Sequence, residues 1–367
     1  VLNIWKKIKS YNSINMSGGV AQLVSVGAQD VHLVGNPEVS FFKSSYRRYT
    51  NFAQTVEKQV IQGNVQNNGM SSVRFERKGD LLSYIYLAPI ASTGDQHANI
   101  DVWANVITSV ELLVGGQVVD TQDAFFTERI APDVLASTHS KSNEVLFGRG
   151  KSSAFYPLRF FNCESYHAAI PLVALQYHDV EMRITWGPEA ANYKWDCMAN
   201  FIFLDADERN AFASRPIDIL CFQVQKILGS TNKIQELVFN HPIKLLVSCP
   251  QDVDTFDGEV NVLADGNKVK LQINGVDVSD FKFAHPNFST VPSFYHIQDK
   301  TSKEKELFIY PFCLDTSKTQ PTGSLNFSRL DSARFVSSDS SFTQPVYAIN
   351  YNVLHIEKGM GGLMYAN

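Results

Sequence analysis

Two glycine-centred turns between strand-like segments constrain the fold of this chain more than any other feature. Gly115-Gly116 follows the strand-like Val110–Val114, and Asn274-Gly275 follows the strand-like Lys268–Ile273. A second strand-like stretch comes after each turn. Gly-Gly and Asn-Gly readily adopt the positive φ angles that a two-residue β-hairpin requires. The sequence therefore predicts two hairpins, one in each half of the chain.

The two hairpins repeat at a regular distance. Gly116 and Gly275 are 159 residues apart, and the strand-like segments that precede the hairpins, Leu81–Leu87 and Ile243–Val247, are offset by about 160 residues. A duplicated domain explains both spacings. Half of the chain, roughly 170 residues of short strands and turns, is enough for one eight-stranded antiparallel sandwich. The sequence therefore predicts an all-β fold of two consecutive eight-stranded domains.

A charged segment near the middle of the chain marks the predicted boundary. Residues 205–214 are compatible with a helix, and Arg215-Pro216 follows them. Aromatic residues make up 12% of the chain, which favours sheet on both sides of this segment. We therefore expect a first β domain over residues 27–204, a short helical linker over 205–214 and a second β domain over 215–367.

The first 26 residues are expected to form an N-terminal arm. Met16-Ser-Gly-Gly resembles a natural beginning, so residues 1–15 are expected to lie upstream of the native start. The alternative is a basic amphipathic arm that carries Lys6, Lys7 and Lys9. The chain contains no apolar stretch near the roughly 18 residues of a membrane helix.

The sequence predicts no catalytic, cofactor-binding or metal-binding residues. The phosphate-loop-like Gly148–Ser152 has Val145 where the first glycine belongs, and the carboxylates of Asp252–Glu259 lack the spacing of a calcium loop. The five cysteines form no CxxC pair, and the nine histidines form no metal-ligand motif. Candidate glycosylation sequons begin at Asn287 and Asn326.

An aromatic and basic run spans residues 36–52, near the start of the chain. Alternating aromatic and basic side chains can stack on nucleic-acid bases, but the net charge of −5 favours a protein contact instead. We therefore predict no specific nucleic-acid partner and expect this run to anchor the N-terminal segment at an interface. The alternative is that Arg47 and Arg48 have a purely intrachain role. The candidate interface residues are Phe41, Phe42, Lys43, Tyr46, Arg47 and Arg48.

Several segments, in order along residues 20–367, resemble one protein family, the major capsid proteins of nucleocytoplasmic large DNA viruses such as iridoviruses, phycodnaviruses and mimivirus-like viruses. The resemblance begins with Gly27–Asp30 and the run Gly35–Phe52. It continues through Arg77–Leu82, Val110–Gln117, Phe203–Arg209, Asn240–Lys244, Gln320–Leu330, Ala348–Leu354 and Gly359–Gly362.

The resemblance implies a double jelly roll and a structural, non-enzymatic function. By this resemblance the chain would form homotrimers, which act as pseudo-hexagonal capsomers and tile the icosahedral shell of a virion assembled in the host cytoplasm. Its partners would be neighbouring capsomers, minor capsid proteins and an internal membrane beneath the shell, with no cofactor. The alternative is a jelly-roll protein that binds glycans for attachment, because loops at the end of a sandwich can present aromatic platforms to sugars.

Overall fold

The structure is a computed structural model that describes residues 18–94, 96–142, 153–251, 258–298 and 303–365. The chain divides into two compact units, residues 1–49 and residues 50–367. In the described part of the first unit, helices Gly18–Val24 (α1) and Val31–Val34 (α2) flank a 3₁₀ turn at Ala28–Asp30. Residues 36–49 form no helix or strand. Among the described residues the first strand begins at Phe52, so residues 18–51, which include the start of the predicted first domain, contain no strand.

The first half of the large unit forms two antiparallel sheets. One sheet has the order β1-β10-β4-β7, with β8 also paired to β4, and the other has the order β2-β3-β9-β5-β6. The strands are β1 Phe52–Gln59, β2 Ile61–Gln62, β3 Met70–Arg74, β4 Leu81–Ile90, β5 Ile107–Val114, β6 Gln117–Asp123, β7 Tyr156–Pro157, β8 Ile170–Pro171, β9 Val180–Trp186 and β10 Lys194–Leu204.

The second half repeats this arrangement. One sheet has the order β11-β20-β13-β17, with β18 on β13 and β21 on β20, and the other has the order β12-β19-β14-β15, with β16 on β14. The strands are β11 Ile217–Ile227, β12 Ile234–Glu236, β13 Pro242–Ser248, β14 Lys268–Ile273, β15 Val276–Asp277, β16 Lys282–Phe283, β17 Phe308–Pro311, β18 Leu325–Asn326, β19 Ala333–Ser337, β20 Val346–Glu357 and β21 Met360–Leu363.

The two halves correspond strand for strand. The order β1-β10-β4-β7 matches β11-β20-β13-β17, and β3-β9-β5-β6 matches β12-β19-β14-β15. The turn residues have the positive φ angles expected of both hairpins: 59° and 81° at Gly115 and Gly116, and 49° and 79° at Asn274 and Gly275. The predicted fold class, two eight-stranded antiparallel jelly rolls in succession, is confirmed, with short extra strands added to the eight of each half.

Helices occur in the connections between the strands. The predicted linker helix is present as Ala206–Ser214, where the Asp205 side chain accepts a hydrogen bond from the Ala206 amide. None of the helices in the described ranges is long and apolar enough to cross a membrane. After α1 and α2 the helices are α3 Ala131–Val134, preceded by a π-helical turn Phe126–Ile130, α4 Phe161–Glu164, α5 Ala206–Ser214, α6 Ala284–Asn287 and α7 Thr290–His296.

Each half has its own hydrophobic core because apolar residues alternate along the strands. Burial alternates along β9, so that Val180, Met182, Ile184 and Trp186 face inward and the residues between them lie nearer to solvent. The Trp186 ring packs 4.9 Å from that of Trp195 in this core. In the second half, the core contains Phe308, Phe335 and Phe342. Strand β13 departs from the alternation because all but its first residue are buried, which means that both of its faces are covered.

Candidate interaction surfaces

The outer face of the second jelly roll is covered by the first. The helical segment after β6 carries Phe126, Ile130 and Val134, which are fully buried. These side chains form one apolar cluster with residues of β13 and β20, among them Leu245 and Ile349. The segment belongs to the first half and the two strands to the second. The contact between the halves is therefore hydrophobic and resembles a domain core.

Polar contacts lie beside this apolar cluster. The buried Asp120 carboxylate accepts hydrogen bonds from the Val224 amide of the second half at 2.8 Å and from the Gln122 side chain at 2.7 Å. Burial disfavours the charged form and raises the pKa of Asp120 to about 7. Asp123 accepts hydrogen bonds at 2.7 Å from both Tyr347 and Lys226 of the second half.

A second buried carboxylate lies next to this contact. Glu128, in the π-helical turn, accepts a hydrogen bond from the Trp103 amide at 2.9 Å. Burial raises its pKa to about 7, although the nearby Arg129 favours the charged form. Arg129 donates a hydrogen bond to the carbonyl oxygen of Pro250 in the second half at 2.9 Å. The junction thus contains two carboxyl groups that are costly to ionise.

The first jelly roll carries an open cleft on the outer face of its β4–β10 sheet. The cleft has a volume of about 690 Å³. Half-buried side chains line its floor, including Tyr84, Tyr86 and Met198. Phe155 packs edge-on against Tyr86, with 5.7 Å between ring centroids. An ion pair of 2.6 Å between Lys58 and Asp196 lies on the same sheet. The face is therefore mainly apolar, with charged groups beside it.

An exposed aromatic surface lies on the second jelly roll. Phe294 and Tyr295 of α7 pack edge to face at 5.0 Å, yet their side chains are 78% and 72% exposed. Leu314 is also exposed and lies beside the end of this helix, where its carbonyl oxygen is 3.2 Å from Nδ1 of His296. Large apolar side chains grouped in this way on a surface indicate an interaction site.

The predicted interface residues of the N-terminal run are exposed within their own unit. Phe41, Phe42 and Tyr46 have almost fully exposed rings. Lys43, Arg47 and Arg48 are exposed too, and within the described ranges neither arginine forms an ion pair. The run adopts no regular structure. These side chains are thus available to a partner, and their role as an anchor stays a prediction.

The two candidate sequons differ in accessibility. Asn326 is exposed, and its side-chain oxygen accepts a hydrogen bond from the Ser328 amide at 3.0 Å. Asn287 is half-buried in α6, and its Nδ2 donates to the carbonyl oxygen of Phe283 at 3.0 Å. A glycan on Asn287 would have to displace that hydrogen bond. Whether either residue carries a glycan stays a prediction.

No catalytic or metal constellation emerges from the residues that the structure describes. Within those ranges, no three His, Cys, Asp or Glu side chains group in a way that could hold a metal ion. All five cysteines are free. The phosphate-loop-like Gly148–Ser152 and the carboxylates of Asp252–Asp257 lie outside the described residues.

Sequence reasoning missed both the junction between the halves and the cleft. The junction joins residues more than 100 positions apart, such as Asp120 and Val224, which no local pattern connects. One signal was present in the sequence: Leu245, Leu246 and Val247 are consecutive apolar residues, whereas a strand with one face in solvent would alternate. In β4, Tyr84 and Tyr86 alternate with apolar residues, as in any strand with one face in solvent. This pattern did not indicate that the cleft is an interaction surface.

Comparisons with known proteins agree with the fold. A family described as "Major capsid protein N-terminus" matches residues 40–210, and one described as "Large eukaryotic DNA virus major capsid protein" matches residues 208–362. The chain is 32% identical to the major capsid protein of Pyramimonas orientalis virus and 31% identical to that of Paramecium bursaria Chlorella virus 1. Each alignment covers 96% of this chain and 100% of the relative.

Solved structures show the same likeness. The capsid protein in a quasi-atomic model of the PBCV-1 virus capsid superposes with a TM-score of 0.72 at 26% identity, covering 89% of this chain and 100% of that one. The Faustovirus major capsid protein superposes with a TM-score of 0.59 at 12% identity, covering 90% of this chain and 94% of that one, which is evidence for the fold alone. The resemblance found in the sequence is confirmed, and the glycan-binding alternative gains no support.

Proposed function

The chain belongs to the major capsid proteins of large eukaryotic DNA viruses, and from this premise we propose that it assembles as a homotrimer. Its function is structural, as a component of a virion's capsid. In the proposed trimer, three chains present six similar jelly rolls. Six similar bodies around a threefold axis give a nearly hexagonal outline, which can tile a shell with one kind of subunit.

The observation that carries this proposal is the repeated strand order of the two halves. The corresponding sheets β1-β10-β4-β7 and β11-β20-β13-β17 show that one chain supplies two copies of the same building block. The buried apolar contact between the halves supports it further, because such a contact holds the two blocks as one body. On this basis residues 27–204 and 215–367 are the two blocks, and residues 205–214 join them.

The N-terminal run is the proposed anchor at the base of the capsomer. Exposed aromatic rings such as Phe41 and Phe42 lose unfavourable contact with water when a partner covers them. Arg47 and Arg48 would then pair with acidic groups of a neighbouring chain, a minor capsid protein or a membrane surface beneath the shell. We also propose that the virion assembles in the host cytoplasm and that Asn287 or Asn326 carries a glycan. The proposed function includes no catalytic step.

Light scattering on the purified protein tests the trimer. The protomer has a mass of 41.1 kDa, so a trimer has a mass of about 123 kDa (3 × 41.1). We expect this mass for the wild type, and a monomeric wild type contradicts the proposal.

The same measurement tests the anchor. We expect the double variant Arg47→Glu with Arg48→Glu to dissociate at higher protein concentration than the wild type, because the reversed charges would repel the proposed acidic partners. Lys233→Glu with Lys358→Glu is the matched control, since it makes the same change in net charge at exposed positions elsewhere. If the arginine changes leave the trimer unaffected, the two arginines do not contribute to the trimer interface. The proposal of a trimer then still stands.

A further inference from the structure

The two jelly rolls differ in how their corresponding surfaces are covered. On the second jelly roll, the outer-face residues of β13 and β20, such as Leu245 and Ile349, are fully buried beneath the first. On the first jelly roll, the corresponding strands β4 and β10 leave Tyr84, Tyr86 and Met198 half-buried around the open cleft. Among the described residues of 50–367, one copy of the repeated face is thus covered and the other is open.

The segment that covers the occupied face also has a counterpart. Asp123 at the end of β6 pairs with Ser109, and Phe283 at the end of β16 pairs with Lys268. Ser109 and Lys268 each lie six positions before the first residue of their hairpin turn, Gly115 or Asn274. A buried alanine follows each of these residues, Ala124 after Asp123 and Ala284 after Phe283. The helical segments after these two points, 124–135 and 284–296, therefore occupy corresponding positions in the two jelly rolls.

The two corresponding segments differ in exposure. In the first half, Phe126, Ile130 and Val134 are fully buried because the second half covers them. In the second half, Phe294 and Tyr295 of α7 project into solvent, with Val291 partly exposed beside them. An apolar side chain that is buried in one repeat and exposed in the other points to a contact that one chain cannot complete alone.

We propose that the aromatic surface of α7, formed by Val291, Phe294 and Tyr295, docks into the Tyr84–Tyr86–Met198 cleft of a second copy of this chain. This contact repeats between chains the contact that segment 124–135 makes within one chain. This docking rests on the proposed trimer and specifies which surfaces form the contact between its chains. We choose a second copy as the occupant because, among the described residues of 50–367, the aromatic surface and the cleft are the two halves of one repeated contact that stay open.

The proposed contact has the composition of a specific interface. Tyr295 and Phe294 are rigid aromatic side chains, and such residues dominate binding energy when they enter a desolvated pocket. The floor of the cleft offers two tyrosine rings and a methionine side chain, which adapts its shape to aromatic partners. Repetition of one heterologous contact closes a ring when the rotation between copies allows it.

Changes on either side of the contact test this inference. Phe294→Asp with Tyr295→Asp should raise the protein concentration at which half of the oligomer dissociates by at least about tenfold, since desolvated aromatic contacts contribute at this scale. Met198→Asp in the cleft should have an effect in the same direction. Tyr177→Asp is the matched control for Met198→Asp, because Tyr177 is 75% exposed and does not line the cleft. Circular dichroism checks that each variant keeps its fold.

A cross-linking experiment tests the pairing itself. In a Cys163→Ala background, a chain that carries both Phe294→Cys and Met198→Cys should form a disulfide-linked species of trimeric mass on a non-reducing gel. Each single variant should remain a single chain on the same gel, because the introduced thiol then has no partner. The Cys163 change removes the half-buried native thiol that lines the cleft.

The outcomes separate this inference from the proposed trimer. A trimeric wild type whose stability is unchanged by Phe294→Asp with Tyr295→Asp, and whose paired cysteines fail to link, overturns the docking and keeps the trimer. A monomeric wild type overturns both. A weakened trimer together with a linked double-cysteine species supports both.

Discussion

Deleting the Phe126 ring tests whether contact between the jelly rolls stabilises the chain. Phe126 is fully buried and packs on residues of β13 and β20 in the other half. Replacing a buried phenylalanine with alanine typically costs about 3–5 kcal/mol of the free energy of unfolding, because apolar contacts are lost and a cavity remains. Against a typical total of about 5–15 kcal/mol, Phe126→Ala should destabilise the chain severely.

Phe335→Ala is the control for this prediction. Phe335 is also fully buried, but within the core of the second jelly roll. Both variants should lower the urea midpoint at a fixed protein concentration. Only Phe126→Ala should selectively speed hydrogen exchange along β13 and β20, whose outer faces it uncovers. A loss of less than about 1 kcal/mol for Phe126→Ala, or equal exchange profiles for the two variants, would refute the view that this contact stabilises the chain.

Two further predictions concern the junction and the first hairpin. Burial raises the pKa of both Asp120 and Glu128 to about 7. Between about pH 4 and pH 7, the two carboxyl groups are protonated in the folded chain but ionised in the unfolded chain. The free energy of unfolding should therefore fall as pH rises through this range. Urea midpoints across this range should show that fall, and Asp120→Asn should flatten it; an unchanged slope in the variant contradicts the assignment. Gly115→Ala should lower the melting temperature more than Gly116→Ala does. Both glycines have positive φ, but only at Gly115 would a Cβ atom overlap the His178 ring. Equal melting temperatures for the two variants would contradict this.

Local turn chemistry explains why much of the fold was predictable. Asn274-Gly275 specifies its hairpin within two residues, and the linker helix begins at a capping Asp205, so neither feature depends on distant contacts. The repeat of these signals at a constant spacing then implied two domains. Element boundaries at the N-terminus were harder to predict, because the aromatic run at Phe41 and Phe42 has a strand-like composition but forms no strand.

The surfaces were less predictable because they depend on which faces meet in three dimensions. The consecutive apolar residues of β13 indicate a strand covered on both faces, and the alternation around the tyrosines of β4 indicates a strand with one open face. The pattern of one strand carries no information about the element that packs against it. Only the register of the β6 and β16 hairpin arms showed that segments 124–135 and 284–296 correspond.

Duplication within one chain allows the two copies of one contact to diverge. The inner copy pairs Phe126 with residues that are always present beside it, so its apolar cluster is not exposed before assembly. The outer copy must remain soluble until a partner arrives, and its cleft accordingly carries tyrosine hydroxyl groups and lies near the Lys58–Asp196 ion pair. A polar rim keeps an exposed apolar site from associating without specificity. The difference in exposure between the two faces is therefore what a permanent contact and an assembly contact each require.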